Sequence, residues 1–297
     1  MKKIAAVVVT YNRKKLLSKC IDSILNQTMN LDIIVIDNMS TDGTYEMLNN
    51  LIREKKIIYR STGKNIGGAG GFNMGLRVAY ELGYEYFWLM DDDCIPTKDA
   101  LKHLIDFGNS VDNKFGFISS KVLWKDNKIC KMNIPKISLG QHVTDFSKAV
   151  IPIKMATFVS FLTRRAVVEK IGLPIKDFFI WGDDIEYSQR ISKKYPSYLV
   201  TDSVVHHETK NNVGSNIAID DYSRINRYEL AYRNEAFLFR EIGVKGRLYQ
   251  SLRLGLHSIR IMTKAKDHKK ERFNILLKGT RLGRKFNPSI EMIKGNK

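Results

Sequence analysis

Three consecutive aspartates, Asp91, Asp92 and Asp93, end an apolar run that reads YEYFWLM before them. Adjacent carboxylates repel one another, and crowding raises the pKa of at least one unless a cation sits among them. Carboxylates one residue apart can turn oxygens to one side of a turn, where a hard divalent cation keeps positions open for substrate phosphates. The alternative is a solvated acidic turn, but Trp88, Leu89 and Met90 bring the run out of an apparent core. A second acidic group, WGDDIEY, sets Trp181 and Gly182 before Asp183, Asp184 and Glu186. An aromatic ring beside paired carboxylates suits the stacking of a sugar face and the removal of a hydroxyl proton. Acidic residues that only complement a helix dipole would read the same way.

Two further segments carry chemistry. In KNIGGAGGFNMG, residues 64–75, Gly67, Gly68, Gly70 and Gly71 allow close backbone approach and positive φ before a helix. The dinucleotide fingerprint is absent, because no such glycine pattern follows the first strand. In SVVHHETK, residues 203–210, consecutive histidines on a strand face opposite ways, so one of His206 and His207 serves a given site. A neutral imidazole there would complete a metal shell begun by the aspartates.

The elements that must position these groups alternate. KIAAVVVT is a continuous apolar run typical of a strand buried on both faces, and it reads as a strand rather than a signal peptide. Residues 13–27 follow as a helix, LDIIVID as a strand, STDGTYEMLNNLIREK as a capped helix, and KIIYR as a strand. The glycine-rich turn leads to a helix through about residue 82, and YEYFWLMD is a fourth strand. This order predicts a parallel α/β sheet with ligands at the carboxyl ends of its strands. Thr10, Asp37, Arg60 and Asp91–Asp93 all fall at those ends. Beyond residue 97 the pattern loosens, with helices near 97–110 and from WGDDIEYSQRISKKY, and strands at GFISSKVLW, within MATFVSFLT and at YLVTDSVVHH.

The chain has 297 residues, 43% hydrophobic and 27% charged, as in a folded soluble protein. No apolar run has the ~18 residues that span a bilayer. Cys20, Cys94 and Cys130 form neither a disulfide framework nor a metal-ligand spacing, which favours a cytoplasmic location. Residues 241–297 hold fifteen Lys and Arg against four Asp and Glu, so they carry +11 of the formal +18. Leu248, Leu252, Leu256 and Ile259 recur there at helical spacing. Such a segment suits an anionic membrane surface. Nucleic acid is not expected, because no basic-aromatic motif that reads bases is present.

Taken together, these motifs resemble the family-2 inverting glycosyltransferases of GT-A fold over roughly residues 3–235. VVVTYNRKKLLSKCIDSILNQT and IIVIDNMSTDGT look like that family's nucleotide-binding opening, MDDDCIP like its D-x-D motif, and WGDD like its catalytic-base motif. NIGGAGGFNMG, DDD and WGDDIEY look most like the branch of galactofuranosyltransferases and rhamnosyltransferases of bacterial surface polysaccharides. The resemblance implies a mainly parallel central sheet flanked by helices. The catalytic domain would be residues 1–215, with nucleotide-sugar binding about 1–95 and the acceptor side about 96–215. Residues 216–297 would be a basic helical extension.

It also implies roles. Asp91, Asp93 and His207 would hold Mn2+ or Mg2+ against a donor diphosphate, with Asp92 beside them. Thr10, Tyr11, Arg13 and Asp37 would line the nucleoside, and Asn65, Gly67 and Gly68 would approach the donor. Asp184, beside Asp183, would be the base, and Trp181 and Glu186 would orient the acceptor. The donor would be a UDP-sugar, galactofuranose being favoured, or else dTDP-rhamnose. The acceptor would be a lipid-linked or other glycan at the inner face of the cell membrane. Two other classes fit less well: a sugar nucleotidyltransferase, which wants a basic glycine-rich signature where this chain has TYNRKK, and a non-catalytic sugar- or nucleotide-binding protein, which has no use for a base.

Overall fold

The computed structural model describes residues 3–293. Its first half follows the alternation read above. Strands β1 (Ile4–Thr10), β2 (Asp32–Asp37), β3 (Ile57–Ser61) and β4 (Tyr86–Asp91) are separated by helices α1 (Lys14–Leu25), α2 (Thr44–Arg53) and α3 (Gly67–Glu81). A short β5 (Cys94–Pro96) and α4 (Ala100–Ser110) lead to β6 (Phe117–Leu123). After a small hairpin of β7 (Lys136–Ser138) and β8 (Gln141–His142) come β9 (Val150–Pro152), β10 (Phe161–Arg164), α5 (Arg165–Ile171), α6 (Asp183–Ser192) and β11 (Tyr198–His207). Three helices complete the chain: α7 (Arg227–Glu241), α8 (Val244–Lys264) and α9 (Lys269–Lys285).

Nine strands form one sheet in the order β3-β2-β1-β4-β10-β6-β11-β5, with β9 also on β11. The β3-β2-β1-β4 half is parallel. The other half is mixed, since β10 runs antiparallel to β4 and β6 while β6 and β11 run parallel. Along β1 the side chains divide by the two-residue period of a strand. Ile4, Ala6 and Val8 enter the core shared with Leu17, Ile21 and Ile24 of α1. Ala5, Val7 and Val9 enter the opposite core with Phe72 and Leu76 of α3. Burial on both faces explains why β1 reads as an unbroken apolar run.

The glycine segment differs from its expected form. It is not a loop ahead of α3, because Gly67, Gly68, Gly70, Gly71 and Gly75 lie inside that helix. Packing is the reason: a Cβ on Gly71 would come within 2.4 Å of Val9 Cγ1, and one on Gly75 within 2.3 Å of Val7 Cγ1. These two glycines let α3 press against β1 where any side chain would hold it off.

The C-terminal helices form a third cluster, in which Tyr228 and Tyr232 of α7 meet Ile261 of α8 and Ile275 and Leu276 of α9. Close approach again rests on glycine, since a Cβ on Gly283 would lie 2.3 Å from the Arg233 carbonyl oxygen. The chain then returns to the sheet body. Glu291 accepts from Asn73 and Arg77 at 3.0 Å and from Lys176 at 2.5 Å, and Ile293 is buried. Among the described residues no helix is long and apolar enough to cross a membrane.

Candidate active site

A cleft of about 1150 Å³ opens at the carboxyl ends of β1 and β4. Its walls include Thr10 at the end of β1 with Tyr11 and Arg13 just after it, Asn65 ahead of α3 with Gly67 and Gly68 at its start, and all three aspartates at and after the end of β4. Trp181, Gly182, Asp183 and Asp184 line it from the start of α6, and His207 from the end of β11. Segments nearly two hundred residues apart in sequence therefore meet in one volume.

The aspartates are buried or nearly so, and each has a different setting. Asp92 accepts from Thr10 Oγ1 at 2.7 Å and from Arg13 Nη1 at 3.3 Å. Asp93 accepts from the same guanidinium at 2.7 Å, and its Oδ1 lies 3.0 Å from His207 Nε2. Burial, then the charge of Asp93, pushes the Asp91 carboxyl up to about 7. Burial opposed by Arg13 leaves Asp92 at about 6. Burial would raise Asp93 too, but the hydrogen bond and charge of His207, with Arg13, hold it below its usual value. His207 responds in the opposite sense: burial disfavours its charged form, but the bond to Asp93 lifts it to about 10.

The imidazole is aimed from behind. Asn133 Nδ2 donates to Thr157 Oγ1 at 2.9 Å, which turns its Oδ1 toward His207 Nδ1 at 2.7 Å. With Nδ1 occupied, Nε2 is the nitrogen facing Asp93 and the cleft. His206 points away, 3.0 Å from Asn127 Oδ1. The ligand atoms of Asp93, His207 and Cys94 lie within 4.8 Å of one another. Burial and the neighbouring carboxylates push the Cys94 thiol well up, and a hard cation prefers oxygen to sulfur; at His207 Nε2 a metal would replace the proton shared with Asp93. Carboxylate oxygens with one imidazole make a donor set suited to Mn2+ or Mg2+.

The second acidic pair sits at the start of α6. Burial, then the charge of Asp184, raises the Asp183 carboxyl well above its ordinary value. Burial raises Asp184 to about 6, tempered by the Ile185 N–H, which donates to Asp184 Oδ1 at 2.7 Å, and by the charge of Lys136. The approach to the pair is strained: Phe179 and Trp181 adopt φ of 64° and 63°, and Gly182 follows at 89°. Asn234, 1% exposed on α7, holds this bend by donating to the carbonyls of Phe178, Ile180 and Trp181 at 2.8 to 3.1 Å. Backbone strain persists where surrounding structure over-determines it, and such places cluster at functional sites.

Two expected site residues are turned elsewhere. Asp37 is buried beside the cleft, but it accepts from Tyr59 Oη at 2.6 Å and from the Ser40 N–H at 2.9 Å, and Asn38 takes the lining position. Glu186 forms a two-point pair with Arg190 at 2.8 Å and does not line the cleft. Conversely, the sequence alone did not point to Asn133, Lys136 or Asn234. A polar residue inside an otherwise amphipathic helix was the one available hint, and it applies to Asn234 alone.

The profile of Glycosyl transferase family 2 matches residues 5–172. Galactofuranosyltransferase GlfT1 of Mycolicibacterium smegmatis is 26% identical over 85% of this chain and 88% of its own length. The GalNAc(5)-diNAcBac-PP-undecaprenol beta-1,3-glucosyltransferase of Campylobacter jejuni is 33% identical over 52% of this chain and 54% of that protein. Among solved structures, GalNAc-T7 with UDP, GalNAc and Mn2+ superposes with a TM-score of 0.59 at 14% identity, over 78% of this chain and 48% of that one. At that identity the likeness establishes the GT-A fold alone.

Proposed function

The chain belongs to glycosyl transferase family 2, and from that premise we propose a metal-dependent, inverting transfer of galactofuranose from a UDP-sugar to a lipid-linked glycan. One observation carries the reading. A cation-seeking carboxylate group and a raised carboxylate pair share one cleft with the glycine-started helix α3. The kinship to GlfT1 supports galactofuranose, and the undecaprenol-linked substrate in the name of the C. jejuni relative supports a lipid-linked acceptor. UDP and Mn2+ bound in the GalNAc-T7 structure support that donor class and that metal.

Asp91, Asp93 and His207 would hold Mn2+ or Mg2+, with Asp92 fixed beside them by Thr10 and Arg13. A divalent ion there supplies Lewis-acid stabilisation of the departing diphosphate. Arg13 adds a second positive charge on the same side. Thr10 and Tyr11 line the nucleoside end, and Asn65, Gly67 and Gly68 bring backbone close to the donor. Asp184 removes the proton from an acceptor hydroxyl as its oxygen bonds to the anomeric carbon. The bond from that carbon to the diphosphate oxygen breaks, and the leaving group keeps the electron pair. Attack from the face opposite the leaving group inverts the centre. Asp183 lies behind the base, and Trp181 offers a ring to the acceptor sugar. The catalytic unit would be residues 1–215, with helices α7, α8 and α9 beyond it buttressing the acceptor side.

Calorimetric titration with UDP and dTDP, with and without Mn2+, tests this on wild type and Asp93→Ala. Metal-dependent UDP binding that disappears in the variant is the expected result. A preference for dTDP would replace galactofuranose by a deoxythymidine-linked sugar. No binding of either nucleotide to folded protein would overturn the proposal.

A further inference from the structure

Helix α8 is apolar on two sides. Inward, Ile261 and Leu254 join the cluster of Tyr228 and Tyr232, and Gly246 sits where a Cβ would be 2.2 Å from the Phe239 carbonyl oxygen. Outward, Val244, Leu248, Leu252, Leu256, Ile259 and Met262 are between 55% and 82% exposed. Their spacing of four and three residues puts all six on an arc of about 120°, along about 27 Å of helix. Contiguous exposed apolar surface of that kind marks an interaction site rather than a solvated face.

The charges around the stripe define the occupant. No acidic residue occurs between Glu241 and Asp267, whereas Lys245, Arg247, Arg260 and Lys264 all stand exposed on α8 and Lys266 follows. A second copy laid on the same face would bring these cations together with no acidic partner on either helix. Anionic headgroups answer both features at once, since phosphates meet the cations while the aliphatic side chains enter the acyl boundary.

We propose that the outer face of α8 is a membrane-docking surface that lies in the interface of an anionic bilayer. It deepens the lipid-acceptor part of the proposal above, and rests on that part only for its purpose. Its test uses neither donor nor acceptor, so a failure here leaves the donor-site reading standing, and the reverse also holds. Removing the whole C-terminal region is the wrong test, because Glu291 and Ile293 pack into the sheet body.

Sedimentation with vesicles containing phosphatidylglycerol, against vesicles of phosphatidylcholine alone, gives the readout. Wild type binds the anionic vesicles. Leu252→Glu/Ile259→Glu weakens that binding by at least about 100-fold, because the charges would have to enter the acyl boundary. Lys245→Ala/Lys264→Ala leaves the stripe intact and costs about thirty-fold. All three proteins keep the same UDP affinity, which shows them folded. Wild type that stays in the supernatant, or a Leu252→Glu/Ile259→Glu variant that binds equally well, overturns the inference. A vesicle-inert wild type that is dimeric by analytical ultracentrifugation, and monomeric as Leu252→Glu/Ile259→Glu, also overturns it and gives the face to a second copy.

Discussion

Replacing Asp184 by Asn should stabilise the unliganded protein while abolishing turnover. The carboxyl sits mostly out of water and titrates at about 6, against about 3.9 for an unperturbed aspartate. A raised acid pKa means that the folded state binds the proton more tightly than the unfolded state. Stability therefore falls as pH rises from about 4 to about 6, and the full penalty is present above that window. Two units correspond to about 3 kcal/mol. Partial exposure to the cleft reduces this to about 1–2 kcal/mol. Asn has the same shape, keeps an oxygen for the Ile185 N–H, and relieves Asp183 of its charged neighbour. Scanning calorimetry without ligands should show a midpoint roughly 2–6 °C higher for the variant at pH 7.5. The gain should shrink through pH 6 and vanish near pH 4. Turnover, followed as UDP released in the presence of acceptor, should fall by at least about 10³-fold, and the wild-type rate should decline below about pH 6 as the base protonates. A variant no more stable than wild type at pH 7.5, or a gain that persists unchanged at pH 4, would refute the electrostatic reasoning. A variant that still turns over would remove Asp184 from the role of base.

Three other outcomes follow from named contacts. Asn133→Leu frees His207 Nδ1 from its 2.7 Å partner and should raise the Mn2+ concentration needed for UDP binding by about 10–100-fold; an unchanged metal titration would rule out that role. Gly67→Ala places a Cβ 2.0 Å from the Phe179 carbonyl oxygen at a φ of +74°. It should raise the KM for donor at least about tenfold, because the start of α3 must withdraw from the bend that leads to Trp181. Asn234→Ala strands the Ile180 and Trp181 carbonyls at that bend, while that of Phe178 keeps Arg233, and should cost about 2–4 kcal/mol by urea unfolding. The same variant should lose turnover out of proportion to its donor affinity, whereas equal losses in both would mark a merely structural part.

Much of the parallel half was legible because burial on both faces leaves a plain trace. The runs in β1, β2 and β4 could be little else, and chain order then put Thr10 and Asp91–Asp93 at one sheet end. Strand alternation left room for only one of His206 and His207, the family resemblance put His207 in register, and the structure turns His207 to Asp93 and His206 to Asn127. The supporting groups were not legible. Asn133 reaches His207 from an irregular stretch with no periodicity, and Lys136 approaches Asp184 from a three-residue strand at the start of a hairpin. The family resemblance assigns Glu186 to the acceptor, but Arg190 four residues on claims it, which helical geometry allows and does not require. The glycines read as a turn of close approach and positive φ ahead of a helix; Gly67 does adopt a φ of +74°, but Gly71 and Gly75 lie within the helix and answer a shortage of space against Val9 and Val7.

The charges of the cleft explain why such a site can be stable before any ligand arrives. Three carboxylates at the end of one strand would drive the chain apart if all were ionised in a dry pocket. Arg13 spans Asp92 and Asp93, and His207 charges against Asp93, so two of the protein's own cations stand against three acids. The imbalance settles on Asp91, pushed up to about 7. A proton there at neutral pH is a loosely held placeholder. A divalent cation held by Asp91, Asp93 and His207 would displace the imidazole proton, a net gain of one positive charge that removes the repulsion raising Asp91, and a donor diphosphate would then give Arg13 a second anionic partner. The resting protein is thus one positive charge short at the place where the proposed chemistry supplies it.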